Sequence, residues 1–200
     1  MNQQLSQLFE QSIMLESDTV QLMPFELEHL SDLADVAYDM DIWQWTSPHI
    51  RSAEDLQQYG DDIMQYRSHK QRYPFSIVEK ASGKVIGVTA YMNVSAQHNR
   101  LEIGSTWLGK GAHQTGLNRE SKFLLLHYAF EKLEVRRVEF KTDRLNKRSI
   151  RAILKLGAKE EGILRSHMVM PGGRVRDTVY FSILNHEWEK VKKAVFSEQL

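Results

Sequence analysis

Three glycines and a histidine stand between a predicted strand and a predicted helix, in the stretch LGKGAHQTGLNRE that begins at Leu108. The loop before a helix presents the backbone N–H groups of the first turn, which have no partner inside the helix and attract anions. Glycine lets a phosphate approach such a backbone closely. The stretch therefore has two explanations, a structural turn or a binding site for a phosphorylated ligand.

The residue types present narrow the chemistry further. Neither GxGxxG nor GxxxxGK[ST] occurs in this loop, so it indicates neither a dinucleotide-binding fold nor a nucleoside triphosphatase. The 200 residues include no cysteine, which excludes disulfides, thiolate metal sites and a cysteine nucleophile. No serine–histidine–aspartate arrangement is evident. The eight histidines show no metal-ligand spacing. We therefore expect no metal.

Charge is balanced over the whole chain but not along it. There are 26 basic and 26 acidic residues, which gives no indication of a nucleic-acid or membrane partner. Residues 24–66 nevertheless hold ten acids and a single base, whereas residues 110–151 hold eleven lysines and arginines and five acids. Such runs are typical of solvated helix faces, but they also fit a protein whose first part attracts a cation and whose second part binds an anion. No apolar run of eighteen residues and no basic leader segment occur, so we expect a cytoplasmic protein.

The hydrophobic pattern predicts a single domain over residues 19–200, preceded by an N-terminal extension over residues 1–18. Its order is a strand, two helices, three strands, a helix, a strand, a helix, two strands and a final helix. This order predicts an α/β fold with a mixed, largely antiparallel central sheet of about seven strands and helices on both faces. One helix is predicted over Leu117–Leu133, and Ser52 and Asn146 are predicted to cap two others.

Two segments carry a resemblance to a known family: HQTGLN before one helix, and RRVEFKTDRLNKRSIRAILKLGAKEEGILRSH further along the chain. From about Thr19 to Leu184 the chain resembles the GNAT acetyltransferase superfamily. It is most similar to the branch that contains the ribosomal-protein N-terminal acetyltransferases of the RimJ and RimL type. In that superfamily a Gln/Arg-x-x-Gly-x-Gly/Ala loop wraps the coenzyme A pyrophosphate, and an Asn-x-x-Ser/Ala helix flanks the pantetheine arm. The chain departs from the family's pattern at four positions, His113, Asn118, Ile153 and Ala158.

The resemblance implies acetyl-CoA as the cofactor, bound by the end of the fourth predicted strand, the glycine loop and the helix that follows Asn146. The cofactor-binding residues that it implies are Thr106, Trp107, Leu108, His113, Gln114, Thr115, Gly116, Leu117, Asn118, Arg119, Asn146, Arg148 and Arg151. A backbone N–H near Thr106–Leu108 is expected to meet the acetyl carbonyl. Lys122, in the same basic segment, is a further candidate for the phosphates.

Two side chains are candidates for proton transfer. Glu102 resembles the strand glutamate that serves several family members as a base, and a strand-end ion pair is the alternative. Ser149 matches the helix serine proposed in this branch to protonate the departing thiolate when the family's tyrosine is missing, as it is here. A role in helix capping is the alternative for Ser149. Strand alternation predicts that Glu102, Gly104, Thr106 and Leu108 share one face.

The leading functional prediction is an acetyl-CoA-dependent N-acetyltransferase of a primary amine, with a peptide or protein N-terminal α-amine as the favoured acceptor. The candidates for the acceptor pocket are aromatic residues that also suit a core, namely Trp43, Trp45 and Tyr91. Three alternatives stay open: an acetyltransferase of a small amine, amino acid or antibiotic, a non-catalytic acyl-CoA sensor, and, ranked last, an RNA-binding module. The predicted partners are acetyl-CoA and the amine acceptor, with a homodimer left open and neither nucleic acid nor a membrane.

Overall fold

The computed structural model describes residues 2–199, which form a mixed sheet flanked by helices. Within these residues, eight strands lie in the order β1-β2-β3-β4-β5-β6-β8-β7. The strands span Leu15–Glu16 (β1), Val20–Pro24 (β2), Arg72–Glu79 (β3), Lys84–Ser95 (β4), Arg100–Leu108 (β5), Arg137–Asp143 (β6), Lys159–Val169 (β7) and Val175–Leu184 (β8). Neighbouring strands are antiparallel, except that β5 and β6 run parallel. The predicted α/β class is confirmed, and the strand beyond the seven expected is β1.

Helices cover both faces of the sheet. Those of the described residues span Gln3–Ser6 (α1), Leu30–Ala37 (α2), Met40–Trp43 (α3), Ala53–Ser68 (α4), Leu117–His127 (α5), Lys147–Lys155 (α6) and Asn185–Val195 (α7). Ser52 caps α4 as predicted, because its hydroxyl accepts the Asp55 N–H at 3.2 Å. The helix predicted over Leu117–Leu133 is α5 followed by one wider π-helical turn over Tyr128–Lys132. In this part of the chain, no helix is both long and apolar enough to cross a membrane.

The residues ahead of the predicted domain boundary pack into the domain. Leu5, Leu8 and Ile13 are buried in the same core as the central strands. The short strand β1 also extends the sheet by pairing with β2. The outer limits predicted for the extension and the domain, residues 1 and 200, lie outside the described residues.

Two hydrophobic cores lie on opposite faces of the sheet. The larger one packs α5, α7 and the N-terminal segment against residues such as Phe75, Leu101 and Phe181, and we call this side the α5 face. The smaller one joins α2–α4 to β3, β4 and the end of β5, and includes Trp43 and Trp107; we call this side the α4 face. Within the described residues, β6, β7 and β8 contribute nothing to the smaller core. Consequently the α4 face of these strands is free to present polar side chains.

A bulge in β5 decides which residues reach each face. Val88 lies opposite Trp107 and Ala90 lies opposite Gly104, so two residue steps on β4 match three on β5. The extra residue is accommodated around Ser105, whose φ of +48° is left-handed. The prediction that Glu102, Gly104, Thr106 and Leu108 share one face is therefore wrong. Thr106 and Leu108 reach the α5 face, whereas Glu102 stays on the α4 face.

Candidate active site

The parallel strands β5 and β6 separate soon after they begin. Their ladder comprises only Arg100–Glu102 of β5 and Arg137–Glu139 of β6. Beyond Glu102, the edge of β5 that faces β6 has no strand partner among residues 2–199. The peptide groups along this edge are left to bond water or an extended ligand, in the manner of an added strand. The separation therefore creates a cleft with a free backbone wall.

The glycine loop ends at the mouth of this cleft in an anion-attracting helix terminus. Gly116 is the N-cap of α5, with φ +93°, and Gln114 is also left-handed at φ +63°. The N–H groups of Gly116, Asn118 and Arg119 make no hydrogen bond to another described residue. A Cβ placed on Gly116 would meet nothing within 4 Å, so the space in front of these groups is open. A phosphate can reach the positive end of the helix dipole there.

A second helix terminus stands on the other side of the cleft. Asn146 caps α6 as predicted, its Oδ1 accepting the Ser149 N–H at 3.0 Å. Arg148 Nη1 lies 3.4 Å from His113 Nδ1, and His113 Nε2 lies 3.2 Å from the Leu108 carbonyl oxygen. This chain of contacts assigns the imidazole proton to Nε2, with Nδ1 accepting from arginine. It also joins the glycine loop to α6, so both helix termini face one cleft at the carboxyl ends of two parallel strands, where α/β folds bind ligands.

Three other residues predicted to bind the cofactor, Arg119, Trp107 and Arg151, are less directly connected to the cleft by their side chains. The Arg119 guanidinium donates to the Val195 carbonyl and lies 3.4 Å from the Glu198 carboxylate, so the C-terminal segment holds it. Trp107 is buried on the α4 face and donates its indole N–H to Tyr59 at 2.6 Å. Its backbone, rather than its ring, borders the cleft. Arg151 is exposed on α6.

Lys122 does not reach the phosphate site, contrary to its prediction. Its side chain is 6 % exposed and extends beneath β5, where Nζ donates to Thr106 Oγ1 at 2.6 Å and to Thr89 Oγ1 at 2.9 Å. Burial lowers the pKa of Lys122 from 10.5 to about 7. Its helical spacing with the buried Leu125 and Leu126 is the sequence signal that indicates the inward orientation.

Glu102 occupies the apex of the cleft. It is the last residue of β5 paired with β6, and it is 2 % exposed. Its carboxylate accepts the Asn93 Nδ2–H at 2.7 Å and lies 3.1 Å from Lys141 Nζ. It also lines an open groove of about 600 Å³ on the α4 face, together with Glu139 and Tyr180. The ion pair and access to a groove coexist, so both explanations of Glu102 are compatible with its geometry.

Ser149 lies on the first turn of α6, and Ile153 lies one turn further along the same helix. Ser149 is half-buried, and its hydroxyl makes no hydrogen bond to a described residue. The backbone N–H of Ser149, not its hydroxyl, takes part in the helix cap. Ile153, at the position where many family members have tyrosine, is buried in the larger core. The capping explanation for the Ser149 side chain therefore has no support in the contacts.

Of the three aromatic residues predicted to line an acceptor pocket, two lie in the cores. Tyr91 is fully buried on the α5 face and donates to the Leu125 carbonyl at 2.6 Å. Trp43 is buried beside Trp107, with its indole N–H on the Ala37 carbonyl at 2.7 Å. Packing and internal hydrogen bonds satisfy both rings, so the assignment of these two residues to an open pocket is wrong. Trp45 is only half-buried and lies against Arg174, whose guanidinium carbon is 5.6 Å from the ring centre.

The acidic segment of residues 24–66 is largely engaged in local contacts. Asp32 accepts the Val85 N–H at 2.9 Å, and the Asp35 carboxylate lies 2.9 Å from Lys84 Nζ. Asp41 lies 3.8 Å from Lys110, at the rim of the glycine loop. Exposed pairs of this kind contribute at most about 1 kcal/mol each. Much of the charge asymmetry is thus used to hold α2 and α3 against the sheet and the loop.

Comparison with known proteins agrees with this geometry. A family model described as "Acetyltransferase (GNAT) domain" matches residues 19–159. The chain belongs to the GNAT acetyltransferase family. It is therefore an acyltransferase, and enzymes of this family use acetyl-CoA as the acyl donor.

Individual relatives support the same assignment. The "Uncharacterized N-acetyltransferase p20" of Bacillus licheniformis is 28 % identical over 178 residues, 87 % of this chain and 97 % of the relative. The "Putative ribosomal N-acetyltransferase YdaF" of Bacillus subtilis (strain 168) is 32 % identical over 110 residues, 55 % of this chain and 59 % of the relative. A crystal structure of a GCN5-related N-acetyltransferase from Brucella melitensis superposes with a TM-score of 0.84 at 30 % identity, covering 95 % of this chain and 86 % of that one. The resemblance to the RimJ/RimL-like branch is confirmed.

Proposed function

We propose that this GNAT enzyme binds acetyl-CoA in the cleft between β5 and β6 and transfers the acetyl group to a peptide or protein N-terminal α-amine. The observation that carries the proposal is the cleft itself, with a free strand edge along one wall and two helix N-termini at its mouth. An extended amide-bearing arm ending in phosphates is the ligand class that suits such a cleft. A pantetheine arm joined to a pyrophosphate has this chemistry.

The residues present fit three parts of the donor, namely the pyrophosphate, the amide-bearing arm and the acetyl group. The open N–H groups at Gly116–Arg119 suit the pyrophosphate, and Arg148 adds a cation beside them. The unpaired edge of β5 around Thr106–Leu108 suits the amides of the arm and the acetyl carbonyl. Bound acetyl-CoA supplies the activated thioester, and the chain supplies position and proton transfer.

The choice of acceptor rests on weaker but separate grounds. Among residues 2–199, no helix of the smaller core covers the α4 face of β6 and β8, which leaves room for a chain end to approach Glu102. One relative is named as a ribosomal N-acetyltransferase. A free α-amine, with a pKa of about 7.7–8.0, also needs less help from a base than a lysine at about 10.4.

The proposed chemistry assigns one proton to each candidate side chain. The amine nitrogen bonds to the acetyl carbon as the carbon–sulfur bond breaks, and the nitrogen loses a proton while the thiolate gains one. Glu102, at the apex of the cleft, accepts the amine proton through waters in the groove that it lines, because Thr106 lies four residues along β5, on the order of 13 Å away. The Ser149 hydroxyl, which has no partner among the described residues, donates to the departing sulfur and recovers its proton from solvent.

Replacement of Glu102 by glutamine is expected to lower kcat/KM by about 10²–10⁴-fold, the contribution typical of a general base. Lys141→Met is the matched control, because it breaks the same ion pair and leaves the carboxylate. If both variants lose stability alike and keep nearly full activity, the ion-pair explanation of Glu102 is the right one.

Ser149→Ala is expected to lower kcat at least tenfold, with acetyl-CoA binding and melting temperature nearly unchanged. The melting temperature should hold because the cap uses the backbone N–H, which alanine retains. Asn146→Ala is the control that does remove the cap, at a cost of about 1 kcal/mol of stability. Full activity of Ser149→Ala would mean that water protonates the thiolate.

The acceptor assignment is tested by a screen that measures free thiol released from acetyl-CoA. Peptides with different N-terminal residues, free amino acids, small amines and aminoglycoside antibiotics are offered at equal concentration. We expect the highest kcat/KM among the peptides. Higher turnover of a small amine or an antibiotic would contradict the peptide assignment, and coenzyme binding without turnover of any acceptor would favour the sensor.

A further inference from the structure

Arg176 of β8 is a buried cation that forms no ion pair with another described residue. It is 8 % exposed, and its Nε has no hydrogen-bond partner among residues 2–199. Within the same residues no carboxylate lies at ion-pair distance from its guanidinium. An uncompensated buried charge costs several kcal/mol, and an arginine cannot escape that cost by deprotonation. A protein that keeps such a group without a structural partner is expected to use it on a ligand.

The carboxylate that attracts the Arg176 charge most strongly already has hydrogen-bond and ion-pair partners. Asp143 exerts the largest attractive effect on Arg176, yet both of its oxygens have other partners. Oδ2 lies 2.5 Å from Arg174 Nη2, and Oδ1 accepts the Leu145 N–H at 2.9 Å. Arg176 therefore retains free donors beside a satisfied aspartate.

Strand register places Arg176 on the acceptor side of the cleft. Glu102 pairs with Glu139 and Asp143 pairs with Thr178, so these residues share the α4 face. Arg176 is two residues from Thr178 on β8 and therefore faces the same way. The opposite face of β8 carries Val179 and Phe181 of the larger core, which confirms the alternation.

The position of Arg176 along the cleft also places it opposite the β5 edge. Asp143 lies four residues beyond Glu139 on β6, and Thr106 lies four residues beyond Glu102 on β5. At about 3.3 Å per residue, both are on the order of 13 Å from the apex. Arg176 is two residues beyond Thr178 on the side away from the apex, so its backbone lies roughly 20 Å from the apex, at the level of Leu108 on the β5 edge. Trp45, in the connection between α3 and α4, lies against Arg174, which is two residues before Arg176 on the chain.

We propose that Arg176 binds a carboxylate of the acceptor, so that the preferred acceptor is an amine that also carries a nearby anionic group. This inference rests on the proposed function, because it assigns the acceptor side of the same cleft. The carboxylate has two sources, the α-carboxylate of a free amino acid or an acidic side chain close to a peptide N-terminus. An arginine fork suits either one, since it donates two parallel hydrogen bonds to a carboxylate.

The first test compares matched acceptors with the wild-type enzyme. One arm uses peptides that differ only by glutamate or glutamine at the second or third residue, and the other uses alanine and alaninamide. We expect kcat/KM to be at least tenfold higher for the acidic member in one arm, and that arm identifies the source. No preference in either arm, in an enzyme that turns over, overturns the inference and leaves the proposed function standing.

The second test uses Arg176→Met and Arg176→Lys. Methionine should abolish the acid preference, lysine should restore part of it, and the melting shift produced by acetyl-CoA should be unchanged in both. Because methionine removes an uncompensated charge, we expect it to fold and to melt no lower than wild type. Retention of the full preference by Arg176→Met overturns the inference.

A binding measurement separates this inference from the proposed function. Affinity of the glutamate and glutamine peptides is measured by calorimetry in the presence of coenzyme A, with no turnover required. If no acceptor is acetylated, but the wild type binds the glutamate peptide at least tenfold more tightly than the glutamine peptide and Arg176→Met does not, the carboxylate site stands and the proposed function fails. The same measurement is made with alanine and alaninamide, and equal binding within both pairs in the absence of turnover overturns both.

Discussion

Gly116→Glu is expected to abolish the stabilisation of this enzyme by acetyl-CoA. The new carboxylate would stand at the N-cap of α5, in open space beside the N–H groups proposed for the pyrophosphate. For the wild type, acetyl-CoA at a hundredfold excess over Kd should add about 2.7 kcal/mol to the free energy of unfolding. For a domain of this length that is a rise in melting temperature on the order of 5–10 °C.

Gly116→Gln is the matched control for that experiment. The φ of +93° disfavours any side chain, so both variants lose a similar amount of stability before ligand is added. Only glutamate brings a negative charge toward the phosphates. A melting shift that survives in the glutamine variant and vanishes in the glutamate variant supports the phosphate site. An unchanged shift in both would place the coenzyme elsewhere, and no shift in the wild type would refute acetyl-CoA binding.

Lys122→Met is expected to stabilise the protein, and by more at pH 6–7 than at pH 10. Burial lowers the pKa of Lys122 from 10.5 to about 7, and no acid among the described residues compensates the charge. Between those two pH values the unfolded chain holds a proton that the folded chain lacks, so the free energy of unfolding of the wild type rises with pH across this window. At or below pH 7 the wild type carries nearly the full burial cost, which is at most about 5 kcal/mol for this fall in pKa.

The difference between variants isolates this lysine. Methionine keeps the aliphatic stem packed, and Thr89 and Thr106 keep the hydrogen bond of 2.8 Å that joins their hydroxyls. Lys132→Met, on the exposed surface just after α5, controls for loss of charge without burial. Melting temperatures of the three proteins from pH 6 to pH 10 decide the matter. A pH-independent difference between Lys122→Met and wild type would mean that Lys122 stays charged throughout, with solvent or a ligand reaching it.

The sequence by itself determined the features that depend on neighbours along the chain. Ser52 and Asn146 were predictable caps because a cap bonds a backbone N–H only three residues away. The end of α6 is equally local, because Gly157 follows its C-cap at φ +86°, a left-handed conformation that favours glycine. The glycine loop before α5 was predictable for the same reason. The order of strands and helices, together with the resemblance carried by these local motifs, was enough to predict the fold class.

Only the tertiary structure decided which side chains those elements present to the cleft. The bulge near Ser105 arises from the pairing of β5 with β4, and one extra residue reverses the face of every side chain after it. Thr106 therefore meets Lys122, and Glu102 faces the opposite groove. The alternation of residue types along β5 does not indicate such a bulge, because a bulge depends on how two strands pair.

Burial of polar and aromatic residues was likewise decided by contacts between distant segments. Tyr91 is held by the carbonyl of Leu125, and Arg119 by the C-terminal segment at Val195. Arg176 is buried on β8, which pairs with both β6 and β7, and nothing local to VRDTVYF indicates that burial. The cost of burying a charge depends on what surrounds it in three dimensions. For this reason the carboxylate site proposed for the acceptor could be inferred only from the folded protein.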